Sequence, residues 1–146
     1  MTITKANIEN LFDDLWPGML YAHDHKLNCL SQLSSIQNYF KKNTDHNLLL
    51  KNLCSLDGIA VTIGTGLIWS VYPDTRVPFD KYTMTFALQK KLVRTDEISE
   101  KYVLHSQSIK IFCDDFTIDK RRYTIKDFVR EAWEELEGSE FLAEPL

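Results

Sequence analysis

No apolar run in this chain reaches the roughly eighteen residues that a membrane-crossing helix requires, so no spanning segment is expected. The N-terminal stretch MTITKANIENLFDDLW lacks the basic start and apolar centre of a signal peptide, which makes the cytoplasm the expected compartment. Cysteine is scarce: Cys29, Cys54 and Cys113 are odd in number, widely separated and each set in an apolar helical pattern. That excludes a disulfide framework, a CxxC redox pair, zinc-type spacing and a local iron–sulfur cluster, and leaves the three as reduced core residues. Missing too are internal repeats, low-complexity tracts and Pro/Ser-rich linkers, so residues 1–146 read as one domain. Nothing in the chain asks for a cofactor or a metal. The pair in His23-Asp24-His25 sits two residues apart at a helix start, where the imidazoles point in different directions.

What is present suits a folded soluble domain. Of the 146 residues, 44% are hydrophobic and 26% charged, near the average for globular proteins and far from disordered ones. A chain this long buries about two thirds of its unfolded surface without a metal or disulfide to hold it. A formal net charge of −4 argues against indiscriminate coating of nucleic acid, but the charge is unevenly spread. Between Thr75 and Arg94 stand Arg76, Lys81, Lys90, Lys91 and Arg94 against Asp80 alone. From Asp127 to Leu146, seven acids face only Arg130. Lys120-Arg121-Arg122 lies among Asp114, Asp115 and Asp119, where local pairing accounts for it.

Apolar spacing predicts an all-α fold of about six to seven helices. Ile8, Leu11, Phe12, Leu15 and Trp16 form the buried face of a first helix that Pro17-Gly18 ends. A second helix is expected from about Asp24 to Lys42, with Leu27, Leu30, Leu33, Ile36 and Phe40 as its stripe. Asn43-Thr44-Asp45 supplies a break and a cap for a third through Leu48, Leu49, Leu50 and Leu53. Further helices are expected at 63–71, 80–93, 96–116 and 124–137, the last capped by Thr124 and Asp127 and strongly acidic. The stretch 116–124 reads as a loop or a small two-stranded ribbon. His105, Trp69, Trp133 and Tyr82 read as core side chains.

The stretch LDGIAVTIGTGLIWSVYPDTRVPFDKYT, residues 56–83, holds three of the five glycines and two of the four prolines. Gly58 falls where a tight turn between two helices calls for a left-handed residue. Gly64 and Gly66 lie inside the following helix, where each costs about 1 kcal/mol relative to alanine unless close packing offsets it. Tyr72-Pro73-Asp74 ends that helix, an extended Arg76-Val77-Pro78-Phe79 follows, and Asp80 heads the next.

Over about thirty residues this stretch resembles the helix-hairpin-helix DNA glycosylase superfamily, whose signature is Leu-Pro-Gly-Val-Gly, a helix opening with Thr-Ala, a short loop, and Val-Asp at the head of another helix. Leu56, Gly58 and Ile59 match the hairpin within 48–72, Ile63 and Gly64 take the Thr-Ala places, and Asp80 falls at the family's catalytic aspartate without a gap. Asp57 and Ala60 replace the proline and the second glycine. The resemblance implies binding of double-stranded DNA through Gly58, Ala60 and Thr62, aided by Arg76, Lys81, Lys90 and Lys91. It further implies N-glycosidic hydrolysis with Asp80 stabilising positive charge on the sugar of a flipped nucleotide. Thr62 occupies the place of the Schiff-base lysine of strand-cutting members, so the implied enzyme is monofunctional. A second reading of the same residues is a non-catalytic helical interaction module, a homo-oligomer or a partner-binding protein, that keeps the scaffold without the chemistry.

Overall fold

A computed structural model describes residues 2–16, 19–73, 76, 78, 80, 82–83, 86 and 125–136. Every described element is helical. They are α1 (Lys5–Asn10), a π-helical turn (Leu11–Leu15), α2 (Ala22–Ser31), α3 (Leu33–Lys42), α4 (His46–Leu53), α5 (Val61–Val71) and α6 (Ile125–Leu136). The expected helix 96–116, the stretch 116–124, Cys113 and the basic residues Lys81, Lys90 and Lys91 lie outside the described residues. Of the expected helix 80–93, Asp80, Tyr82, Thr83 and Phe86 are described; the last three are helical and Asp80 precedes them.

Local chemistry sets the helix starts. Thr4 and Asn7 form a reciprocal capping box: the Asn7 N–H donates to Thr4 Oγ1 at 3.2 Å and the Thr4 N–H to Asn7 Oδ1 at 2.9 Å. Asp45 caps α4, as its position after Asn43-Thr44 predicts, by accepting from the Asn47 N–H at 2.8 Å. The first stripe is buried throughout, with Ile8, Leu11, Phe12, Leu15 and Trp16 all inside. Its second half, however, is a π turn rather than α-helix, a change of hydrogen-bond register that apolar spacing does not encode.

The expected helix 24–42 is two helices. It breaks at Gln32, where the backbone turns to φ −107 and ψ 16 and the Gln32 N–H bonds the Cys29 carbonyl in a tightened last turn. At the break the Gln32 side chain reaches across to the bend after α4, donating to the Asp57 carbonyl at 2.9 Å. The break resets the phase. α2 therefore buries Cys29 and leaves Leu27 half exposed, whereas α3 buries Ile36 and Phe40 as its stripe predicts.

α5 is the central element. Eight of its residues are buried, including Gly64, Thr65 and Gly66, and it packs on α1, the π turn and α4. A helix covered on so many sides reads as apolar all round, which its composition shows. The buried hydroxyl of α5, Thr65 Oγ1, donates to the Val61 carbonyl one turn back at 2.8 Å. Asn7 Nδ2 reaches the Ser70 carbonyl at 3.2 Å and Gln37 Nε2 the Ile3 carbonyl at 3.0 Å, tying the N-terminal segment to α5 and α3. Val129 and Ala132 of α6 belong to the same apolar core, while Arg130, Glu134 and Glu135 are exposed. Among the described residues no helix is long and apolar enough to cross a membrane.

Candidate functional site

The bend between α4 and α5 is built around a left-handed Gly58, with φ +71. Leu56 and Ile59 tighten it, the Ile59 N–H donating to the Leu56 carbonyl at 3.2 Å and the buried Ile59 side chain anchoring the exit. A polar clamp from the α2–α3 junction holds it from outside: Asn28 Nδ2 donates to the Asp57 carbonyl at 2.8 Å, and Gln32 Nε2 joins it on the same oxygen. The clamp sits against the glycine itself, since a Cβ built on Gly58 would come within 2.5 Å of Asn28 Nδ2. Gly58→Ala therefore meets both a left-handed backbone and Asn28. We expect a loss of about 1–2 kcal/mol in urea unfolding, with the α2–α3 junction loosened along with the bend.

Past the bend, Ala60 is the N-cap of α5 and is exposed, with no side-chain hydrogen bond to the helix; Thr62 is half-buried in the first turn. Gly58, Ala60 and Thr62 thus lie together along one bend. Arg76 is engaged elsewhere, its Nε–H donating to His46 Nδ1 at 2.8 Å.

Asp80 is only 3% exposed. Its Oδ1 accepts from the Tyr82 N–H at 2.9 Å and the Thr83 N–H at 2.8 Å, the geometry of an N-cap. Thr83 answers it: the Asp80 N–H donates to Thr83 Oγ1 at 3.1 Å, and that hydroxyl donates in turn to the Pro78 carbonyl at 2.7 Å. The second carboxylate oxygen, Oδ2, accepts from the Trp16 indole Nε1–H at 3.2 Å. Burial raises the Asp80 carboxyl above its ordinary 3.8, and the bonds from Thr83, Trp16 and Tyr82 pull it part of the way back. Because the folded value lies above the unfolded one, this group's contribution to stability is greatest in acid and is lost as pH rises through the folded value.

The sequence marks Trp16 as a buried residue of the first helix but not as a partner of Asp80. The available signal was general: a buried indole N–H needs an acceptor. Thr83, three residues after Asp80, is likewise the capping-box spacing. The bend is held by Asn28 and Gln32, whereas Asp80 is held by Trp16 and by the helix that it heads. A separate cavity of about 320 Å³ opens between the π turn and α2, lined by Phe12, Asp13, Ala22, His23 and Lys26, with a Lys26–Asp13 ion pair of 3.0 Å beside it. Among the described residues no group of three or more His, Cys, Asp or Glu side chains is placed to hold a metal. Burial pushes the Cys29 thiol up to about 12 and the Cys54 thiol to about 11, so neither is a ready nucleophile near neutral pH. Compared with protein-family models, with curated proteins and with solved structures, the chain shows no match in any of the three.

Proposed function

We propose that this chain is a non-catalytic helical interaction module, binding a second copy or a protein partner, in which Asp80 serves the fold. The observation that carries this reading is the enclosure of Asp80, at 3% exposure, with one oxygen on the helix that it heads and the other on the Trp16 indole. A carboxylate that stabilises a cationic sugar must present an oxygen to a flipped nucleotide. Turning either Asp80 oxygen toward a substrate would forfeit bonds from fixed protein donors in a buried place. Capping plus indole binding gives this carboxylate a sufficient structural reason to be where it is.

A second reading, contact with duplex DNA at the bend, is favoured by one observation: the left-handed Gly58 and the uncapped, exposed Ala60 leave the start of α5 open to an anion. In that reading Gly58, Ala60 and Thr62 meet a phosphate, with Lys81, Lys90 and Lys91 adding charge.

The test joins two assays on the full chain. Duplexes bearing damaged bases, incubated with the protein and then cleaved with alkali, are expected to stay intact. Asp80→Asn, which keeps the cap acceptor but turns a donor toward the Trp16 N–H, is expected to lose about 1–2 kcal/mol of stability. Base excision by the wild type that vanishes in a folded Asp80→Asn would overturn the proposal. Salt-sensitive duplex binding that drops on Lys90→Glu with Lys91→Glu, and no excision, would favour the second reading. Concentration-dependent sedimentation of the wild type is the expected sign of self-association.

A further inference from the structure

His46 is the first residue of α4, directly after its cap Asp45, and its ring lies 4.7 Å from that of Tyr72, the residue that closes α5. Four residues beyond Tyr72, the Arg76 N–H donates to the Tyr72 carbonyl at 3.0 Å and the Arg76 Nε–H donates to His46 Nδ1 at 2.8 Å. The chain leaving α5 is thus fastened to the start of the preceding helix through a lone pair on an imidazole. A guanidinium keeps its protons at any pH that a protein tolerates, so Arg76 is the donor and the ring must be neutral, with its own proton on Nε2. Adding a proton at Nδ1 removes the acceptor and sets two cations in contact.

We propose that this contact is a proton-operated latch: neutral His46 holds the Arg76 guanidinium at the start of α4, and protonation of the ring in mildly acidic medium breaks that contact. Two charged groups act on the ring, Arg76 against its protonation and Asp45 in favour; Tyr72 contributes its ring face. α3, also packed on α4, ends in Lys41 and Lys42, both exposed to water and counterions that screen them. Burial first, and Arg76 second, push the His46 imidazole below its ordinary 6.5. The open ring therefore binds a proton more tightly than the latched one. The latched state's advantage is complete above 6.5 and is lost as pH falls through the latched ring's lower value.

The experiment follows the histidine rings by NMR in the full chain, together with hydrogen exchange at the Arg76 amide, from about pH 7.5 to 5. His46 is expected to titrate below 6.5, and Arg76→Gln to move its midpoint upward. Protection of the Arg76 amide is expected to fall by up to about tenfold for each pH unit between the open and latched values. In His46→Gln, whose amide oxygen accepts the same bond without titrating, protection should stay level. A His46 midpoint at or above 6.5, a midpoint unmoved by Arg76→Gln, or an equal loss of protection in His46→Gln would each overturn the latch.

Discussion

Trp16→Ala is expected to be the most damaging single substitution in the described part of the chain, removing most of its stability. The side chain is 1% exposed, packs edge-on against Phe12 with ring centroids 5.3 Å apart, and donates to Asp80. Truncating a buried tryptophan costs about 3–5 kcal/mol in lost burial and residual cavity. Loss of the indole donor to a buried carboxylate adds about 1–3 kcal/mol. A domain whose whole stability is about 5–15 kcal/mol would be partly unfolded at room temperature. Urea unfolding followed by circular dichroism measures this directly. Trp16→Phe separates the terms, since it keeps much of the ring and loses only the N–H, and should cost about 1–3 kcal/mol. Combined with Asp80→Asn in a double-mutant cycle, it should show that the two losses overlap, because both break the same bond.

The second large effect is expected at Gly66, and its contrast with Gly64 makes it diagnostic. A Cβ on Gly66 would lie 2.3 Å from Trp16 Cη2 and 3.0 Å from Cζ2, against a rigid, enclosed ring. A Cβ on Gly64 would meet Leu50 Cδ1 at 2.9 Å and Cys54 Sγ at 3.2 Å, the ends of side chains that can turn aside. Both changes gain about 1 kcal/mol of helix propensity. At Gly64 that gain roughly cancels the crowding. At Gly66 the ring must shift, and since overpacking costs about 1–3 kcal/mol or more, the expected net loss is about 2 kcal/mol. In thermal unfolding the difference between the variants should be several degrees, with Gly64→Ala close to wild type.

These glycines show how far the chain could be read in advance. Their place inside a helix implied close packing, and close packing is what they have. What packs there is a tryptophan ring at Gly66 and a leucine methyl and a cysteine sulfur at Gly64. The left-handed Gly58, the Asp45 cap and the cap role of Asp80 were legible because each depends on residues within four positions of itself. The break at Gln32 was not, because its partner is the carbonyl of Asp57, twenty-five positions away. The exposure of Leu27 follows from that break and was equally hidden.

By itself, then, the order of residues determined that the described elements are helices, where α4 begins, where α3 and α5 end, and which faces of the first helix and of α3 are apolar. Those outcomes rest on backbone geometry repeating every few residues and on short-range hydrogen bonds, both written in local spacing. Only the tertiary structure decided that Asp80 is enclosed by Trp16, sixty-four positions earlier, that Arg76 donates to His46, and that Asn28 and Gln32 grip the bend at Gly58. Each is a meeting of one donor with one acceptor across helices, and such a meeting is set by how the helices cross, a property that no short stretch of the chain contains.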